Sequence, residues 1–234
     1  MKAFLIAALL LAVCPSSLLG SERKLQKWLS TGSWSKGIEY CNGELVDGLS
    51  RRPDLRSVSA GYLARLAVYC AAFASGKGDE LSSGWWWYTA ASLDLEAAQS
   101  LLPELENRPG AFQAFPALRN RVPWGAHEAK VGEEVRLLSG EIVPGSPPRP
   151  VHTPNIPDYM GRQIFALPGA AVVVEIVVSR DGVPRQPLLV NAQALPVQVL
   201  FAYQYLRDWR FEPAQVNGEA VECLYTLTVS VRLG

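Results

Sequence analysis

The chain has 234 residues, and its 22 basic side chains balance 22 acidic ones, so it carries no formal net charge. That balance supplies no basic stripe of the kind nucleic-acid binding leaves in a sequence. The length suits one large or two small domains, and the residue pattern favours two.

Residues 1–20 read as an export signal. Lys2 opens a short positive region, residues 3–13 are unbroken apolar, and Pro15, Ser16, Ser17 and Gly20 supply the break and small residues of a cleavage zone. The mature chain then begins near Ser21 or Glu22. An uncleaved anchor competes with this reading, but the apolar stretch barely reaches bilayer length and Pro15 interrupts it. Lipidation at Cys14 is disfavoured because Val13 precedes it. Removing the signal leaves 21 basic against 22 acidic residues, and the cysteines Cys41, Cys70 and Cys223. An oxidising compartment permits disulfides, so Cys41 and Cys70 form a reasonable pair with Cys223 left over.

Residues 21–105 have helical periodicity. Trp28, Leu29, Trp34, Ile38, Cys41, Leu45 and Leu49 recur at three- and four-residue steps, which predicts an amphipathic helix ended by Arg52-Pro53-Asp54. A second helix runs through Tyr62, Leu66, Tyr69 and Phe73 and stops at Gly76-Lys77-Gly78-Asp79. A third carries Trp85, Trp86 and Trp87 and reaches Leu102. Consecutive helical positions diverge, so at most two of the three tryptophans share a face. Core packing is the leading use for them, and one left exposed would mark a partner or glycan surface. Gly61-Tyr62-Leu63, the tryptophan run and the recurrent Asp-Leu at Asp54 and Asp94 resemble tetratricopeptide-type repeats. If these helices stack antiparallel, Cys41 and Cys70 sit on adjoining helices.

Residues 106–155 are rich in proline and read as a stiff, extended linker containing a short hairpin or edge strand over residues 134–143. From Leu167 the period changes to two. Val172, Val174, Ile176 and Val178 point one way, and Val173, Glu175, Val177 and Ser179 the other. Asp181-Gly182 is a hairpin signal, and Pro184 and Pro187 demote the returning strand to an edge or a broken one. Residues 194–209 predict a helix opened by Pro196. Asn217-Gly218 signals another hairpin before a last strand over residues 221–232, in which Tyr225 and Leu227 face the core while Thr226 and Thr228 face water.

Trp209-Arg210-Phe211-Glu212-Pro213-Ala214, then Asn217-Gly218 and Val221, resemble the C-terminal domain of the TonB energy-transducer family. Pro157-Asp158-Tyr159 and Gly169 match its leading segment, with Met160 in place of the family's proline. The resemblance covers residues 156–233. It implies a small β-β-α-β domain over residues 156–234, which with the helical, tetratricopeptide-like hairpin domain read over residues 21–105 gives an α+β protein. Read from the residues, Tyr159, Gly169, Asp181, Gly182, Trp209, Arg210, Phe211, Pro213, Ala214, Asn217 and Gly218 build the fold. The resemblance places binding on the last strand, Leu224, Tyr225, Thr226, Leu227, Thr228, Val229, Ser230 and Val231, as an edge receiving an extended peptide.

The function implied is that of a periplasmic, non-enzymatic adaptor in the cell envelope. Its partner would be a TonB-dependent outer-membrane transporter, linking it to transport, or peptidoglycan, and a second copy of the chain could use the same strand. An uncleaved N-terminus would instead imply a membrane-anchored energy transducer. His127 and His152 lie in the proline-rich stretch without cysteine or carboxylate at ligand spacing, so no metal, cofactor or catalytic residue is expected.

Overall fold

The computed structural model describes residues 16–45, 49, 54–106, 134–154, 171–191 and 193–229. Where periodicity predicts one helix across residues 28–49, the chain forms two, α1 (Ser16–Ser30) and α2 (Trp34–Gly43). Gly32 takes φ +65°, a state in which glycine alone is unpenalised, and the Ser33 N–H reaches back to the Trp28 carbonyl at 2.9 Å. The apolar rhythm passes through the break because both helices pack on the same neighbour. The residues just beyond the expected cleavage point hold α1 in place: Leu25 and Leu29 are buried, and Glu22 Oε1 pairs with Arg65 Nε at 2.7 Å.

α3 (Ala60–Gly76) and α4 (Glu80–Leu93) form an antiparallel hairpin. Gly78 at φ +80° turns the chain, and Asp79 starts α4 by accepting the Ser82 N–H at 3.0 Å. The third predicted helix is also subdivided. Asp94 accepts the Ala97 N–H at 2.9 Å and opens α5 (Leu95–Gln99), followed by α6 (Leu102–Glu106). Asp54 performs the same task for a single 3-10 turn, Leu55–Ser57, through the Arg56 N–H. Both Asp-Leu marks are therefore helix-start caps, and capping alone accounts for their recurrence.

The tryptophan run serves core packing, the leading use read for it: Trp85, Trp86 and Trp87 are all buried, and none is left to mark a partner or glycan surface. α4 has no solvent-facing side over its middle, since α3 covers one flank and the sheet half covers the other. The expected Cys41–Cys70 disulfide is absent: Cys41, Cys70 and Cys223 are buried free thiols. Cys41 and Cys70 do meet across α2 and α3. Burial first, then hydrogen bonding with Cys41, pushes the Cys70 thiol well above its usual range.

The remaining elements are β1 (Glu134–Leu137), β2 (Ile142–Pro144), β3 (Arg149–His152), β4 (Val172–Val178), β5 (Pro184–Leu189), α7 (Pro196–Arg207), β6 (Arg210–Glu212), β7 (Ala214–Val216), β8 (Glu219–Val221) and β9 (Cys223–Val229). A five-stranded antiparallel sheet has the order β2-β1-β9-β4-β5, with β3-β6 and β7-β8 as separate pairs. The architecture is thus mixed helix and antiparallel sheet, as the residue pattern predicts. The expected linker over residues 106–155 is corrected in its later part. Residues 134–144 form the predicted hairpin, but it is built into the main sheet through β1 and β9, while β3 pairs with β6. Pro144 lies on the outermost strand and Pro150 in a two-stranded pair, where a missing N–H is tolerated.

The helical and sheet halves share one hydrophobic core. Trp85 Nε1 donates to the Pro184 carbonyl at 3.1 Å, its ring lies edge-on to Tyr203 at 6.2 Å, and Ser92 Oγ meets the Tyr203 hydroxyl at 2.9 Å. Each fully buried aromatic of this kind contributes roughly 2–3 kcal/mol by removal from water. Glu175, on the opposite face of β4 from Val174, is also fully buried, and its Oε2 accepts from Arg136 Nη1 of β1 at 2.7 Å.

Candidate functional site

β9 reads from its sequence as a half-buried strand, and its alternation is borne out: Thr226 and Thr228 are exposed, Val229 is buried, and Tyr225 and Leu227 are partly covered. Its position in the sheet differs from the expected outer edge. β9 lies inside the sheet at its start, where Cys223 and Leu224 pair with Leu137 and Arg136 of β1. On its other side it pairs with β4 from Cys223 to Val229. Only beyond Leu224 is one side left open: among the described residues no strand pairs with Thr226 or Thr228 on the side away from β4. Ser230 and Val231 lie outside the described residues, as do Tyr159 and Gly169.

The direction of the backbone groups on this open side follows from β4. The Val173 N–H donates to Asn191 Oδ1 at 2.8 Å and its carbonyl accepts from the Val190 N–H at 2.9 Å, so both point toward β5. Val173 is the partner of Thr228. In an antiparallel ladder, opposed residues either exchange both hydrogen bonds or turn both outward. Thr228 therefore aims its N–H and carbonyl away from β4, and by the two-residue period so does Thr226. Leu224 shares that direction and is the residue that β1 occupies. The result is a short row of two donors and two acceptors, flanked by exposed threonines.

An aromatic ladder backs this edge. Tyr205 and Trp209 have ring centroids 5.6 Å apart, Trp209 and Phe211 5.8 Å, and Phe211 and Tyr225 5.8 Å. The ladder runs from the end of α7 to β9, with Phe211 buried and Trp209 half-buried. Arg210 is exposed and donates from Nη1 to the Trp209 carbonyl at 2.6 Å, beside Pro213, which separates β6 from β7. Ala214 is fully buried at the start of β7. Phe211 and Ala214 are thus packed inside the fold, whereas Arg210 lies at its surface.

The two turn signals diverge in role. Asn217 and Gly218, at φ 53° and +80°, form the β7–β8 turn in open space. Gly182, at φ +75°, turns β4 into β5 and also receives the Phe211 N–H on its carbonyl at 2.9 Å, and a Cβ there would collide with the Phe211 carbonyl oxygen. Asp181 accepts from Ser179 Oγ, which holds its carboxyl below the ordinary range. Gln186 is at φ 48°, and the β4–β5 register shifts there, so the proline-bearing strand is irregular and outermost, as predicted.

Burial first, and then Glu222, pushes the Cys223 thiol up to about 12, which suits an inert core thiol. His152 lies exposed on β3, and His127 is outside the described residues. Among the described residues no group of three His, Cys, Asp or Glu is arranged to hold a metal ion, and no helix is long and apolar enough to cross a membrane. Comparison with protein-family profiles, curated proteins and solved structures found no match to this chain.

Proposed function

We propose that this chain is a periplasmic adaptor of the TonB C-terminal type that captures an extended peptide by strand addition on the open side of β9. The observation that carries this reading is the outward aim of the Thr226 and Thr228 backbone groups, with no described strand to receive them. Main-chain hydrogen bonds supply the affinity of such an addition, and pockets beside alternate side chains supply its specificity. β1 fixes the register by occupying Leu224, so a captured strand begins next to Tyr225. The α3–α4 hairpin, tetratricopeptide-like in this reading, braces the sheet through Trp85. Residues 1–20 are removed on export, and the contacts of Glu22, Leu25 and Leu29 keep α1 docked afterwards.

The test is titration of the exported protein with a peptide from the N-terminal segment of a TonB-dependent outer-membrane transporter. Thr228→Pro deletes an outward N–H and leaves the β4 ladder intact. It is expected to weaken binding at least ~5-fold, the worth of one net hydrogen bond. Equal binding by wild type and Thr228→Pro, or binding of peptidoglycan fragments alone, overturns the reading. Concentration-dependent dimers abolished by the same substitution would show that a second copy takes the edge instead.

A further inference from the structure

α2 and α3 meet on three successive rungs. Trp34 lies on Gly76, Gly37 on the Phe73 ring, and Cys41 on Cys70, so positions rise along α2 as they fall along α3. The first two rungs set a ring against a missing side chain, which lets the helix backbones approach closely. The third sets thiol against thiol. Cys41 and Cys70 are 0% and 2% exposed and hydrogen-bonded to each other. An aliphatic side chain would fill such a rung equally well, so what the two thiols add is chemistry.

We propose that Cys41 and Cys70 are a reversible redox site, a dithiol that a small-molecule or protein disulfide converts into a covalent staple between α2 and α3. One cysteine, as its thiolate, attacks the S–S bond of the oxidant. A mixed disulfide forms, and one oxidant sulfur leaves as a thiol, taking the proton. The second cysteine then attacks the protein sulfur of the mixed disulfide, which closes Cys41–Cys70 and releases the second thiol. Two electrons and two protons pass to the oxidant, which ends as two thiols.

In the closed core neither sulfur is reachable, and burial holds the Cys70 thiol protonated. The first attack therefore needs α2 to lift from α3, and α2 is lightly held at its start. It has 10 residues and begins without a side-chain cap, whereas Ser59, Asp79 and Asp94 cap α3, α4 and α5. Reclosure returns Cys41 to Cys70 and completes the staple. The site is separate from the open side of β9 and stands whether or not a peptide binds there.

The full chain is equilibrated in native buffer with mixtures of reduced and oxidised glutathione, quenched in acid, alkylated and mapped by mass spectrometry. A peptide linked through Cys41 and Cys70 is expected in oxidising mixtures, with Cys223 alkylated. Excess reduced glutathione should restore both thiols. The link closes a loop of ~30 residues, so oxidation should raise the thermal midpoint by roughly 10 °C. In Cys41→Ala the midpoint should be the same under both conditions, whatever its absolute value. Cys41 and Cys70 still alkylated in the most oxidising mixture, glutathione adducts without the link, or a linked protein with an unchanged midpoint would overturn the inference.

Discussion

The helical half and the sheet half of this protein are buried by different means. In α3 a nearly continuous run from Leu63 to Ala74 is enclosed, and in α4 every residue from Ser83 to Ala90. Helices enclosed on every side carry no amphipathic stripe, so their packing relies on small residues and fitted rings. Gly37 of α2 lies against the Phe73 ring, and Gly76 against Trp34, so closely that a Cβ at either would clash. The sheet half instead alternates along the later part of β9, where no described strand pairs with Thr226 and Thr228 on the side away from β4, just as β2 and β5 have one unpaired side at the rims of the sheet. The helical half thus fills and braces, while backbone groups without a described partner strand belong to the sheet half.

The largest effect is expected where the halves meet. Trp85→Ala removes the ring that contacts Tyr203 and the Nε1 bond to Pro184, and should cost about 3–5 kcal/mol in urea unfolding. Loss should appear in a single transition. Separate transitions for helix and sheet signals would break the claim of one shared core. Glu175→Ala is the counterpart within the sheet. It strands Arg136 of the buried pair and should cost about 3 kcal/mol, whereas an unchanged midpoint would show that the pair is dispensable.

A sharper contrast lies in the turns. Gly218→Ala pays only for its positive φ, about 1 kcal/mol, because open space surrounds it. Gly182→Ala must also displace the Phe211 backbone, which adds about 1–3 kcal/mol of overpacking. Matched thermal melts of the two variants check this, and equal losses would refute the docking role of Gly182.

The smallest effect concerns Cys223. Its folded-state pKa is raised, so the stability it contributes is complete below its ordinary value of 9.0 and is lost as pH rises toward about 12. Cys223→Ala should flatten that alkaline decline in stability measured by denaturant titration. An identical pH profile in the variant would show that other groups control it.

Local chemistry made much of this legible. The alternation of β9, the glycine turns at 182 and 218, Pro196 opening α7 and the hairpin over residues 134–143 all depend on near neighbours in sequence. The misread features depend on distant ones. The apolar rhythm across Gly32 continues because α1 and α2 share a packing partner, so periodicity conceals the break. Whether residues 134–152 join a sheet depends on β9 and β6, some sixty to ninety residues later, and proline content points the other way. Core packing was the leading use read for the three tryptophans of α4, but that the sheet half covers the flank an isolated hairpin would expose is again set by distant residues. The threonines of β9 were readable as a wettable face, but their backbone direction is set by Asn191 and Val190 acting on Val173.

The measurement that bears most directly on the open edge is residue-resolved amide hydrogen exchange in the free and peptide-bound protein. The Tyr225 and Leu227 amides, which point into the β4 ladder, should exchange slowly throughout. Those of Thr226 and Thr228 should exchange fast in the free protein and slow on addition of the transporter peptide. Protection of Thr226 and Thr228 without peptide, or fast exchange of both in the complex, would contradict strand addition at β9.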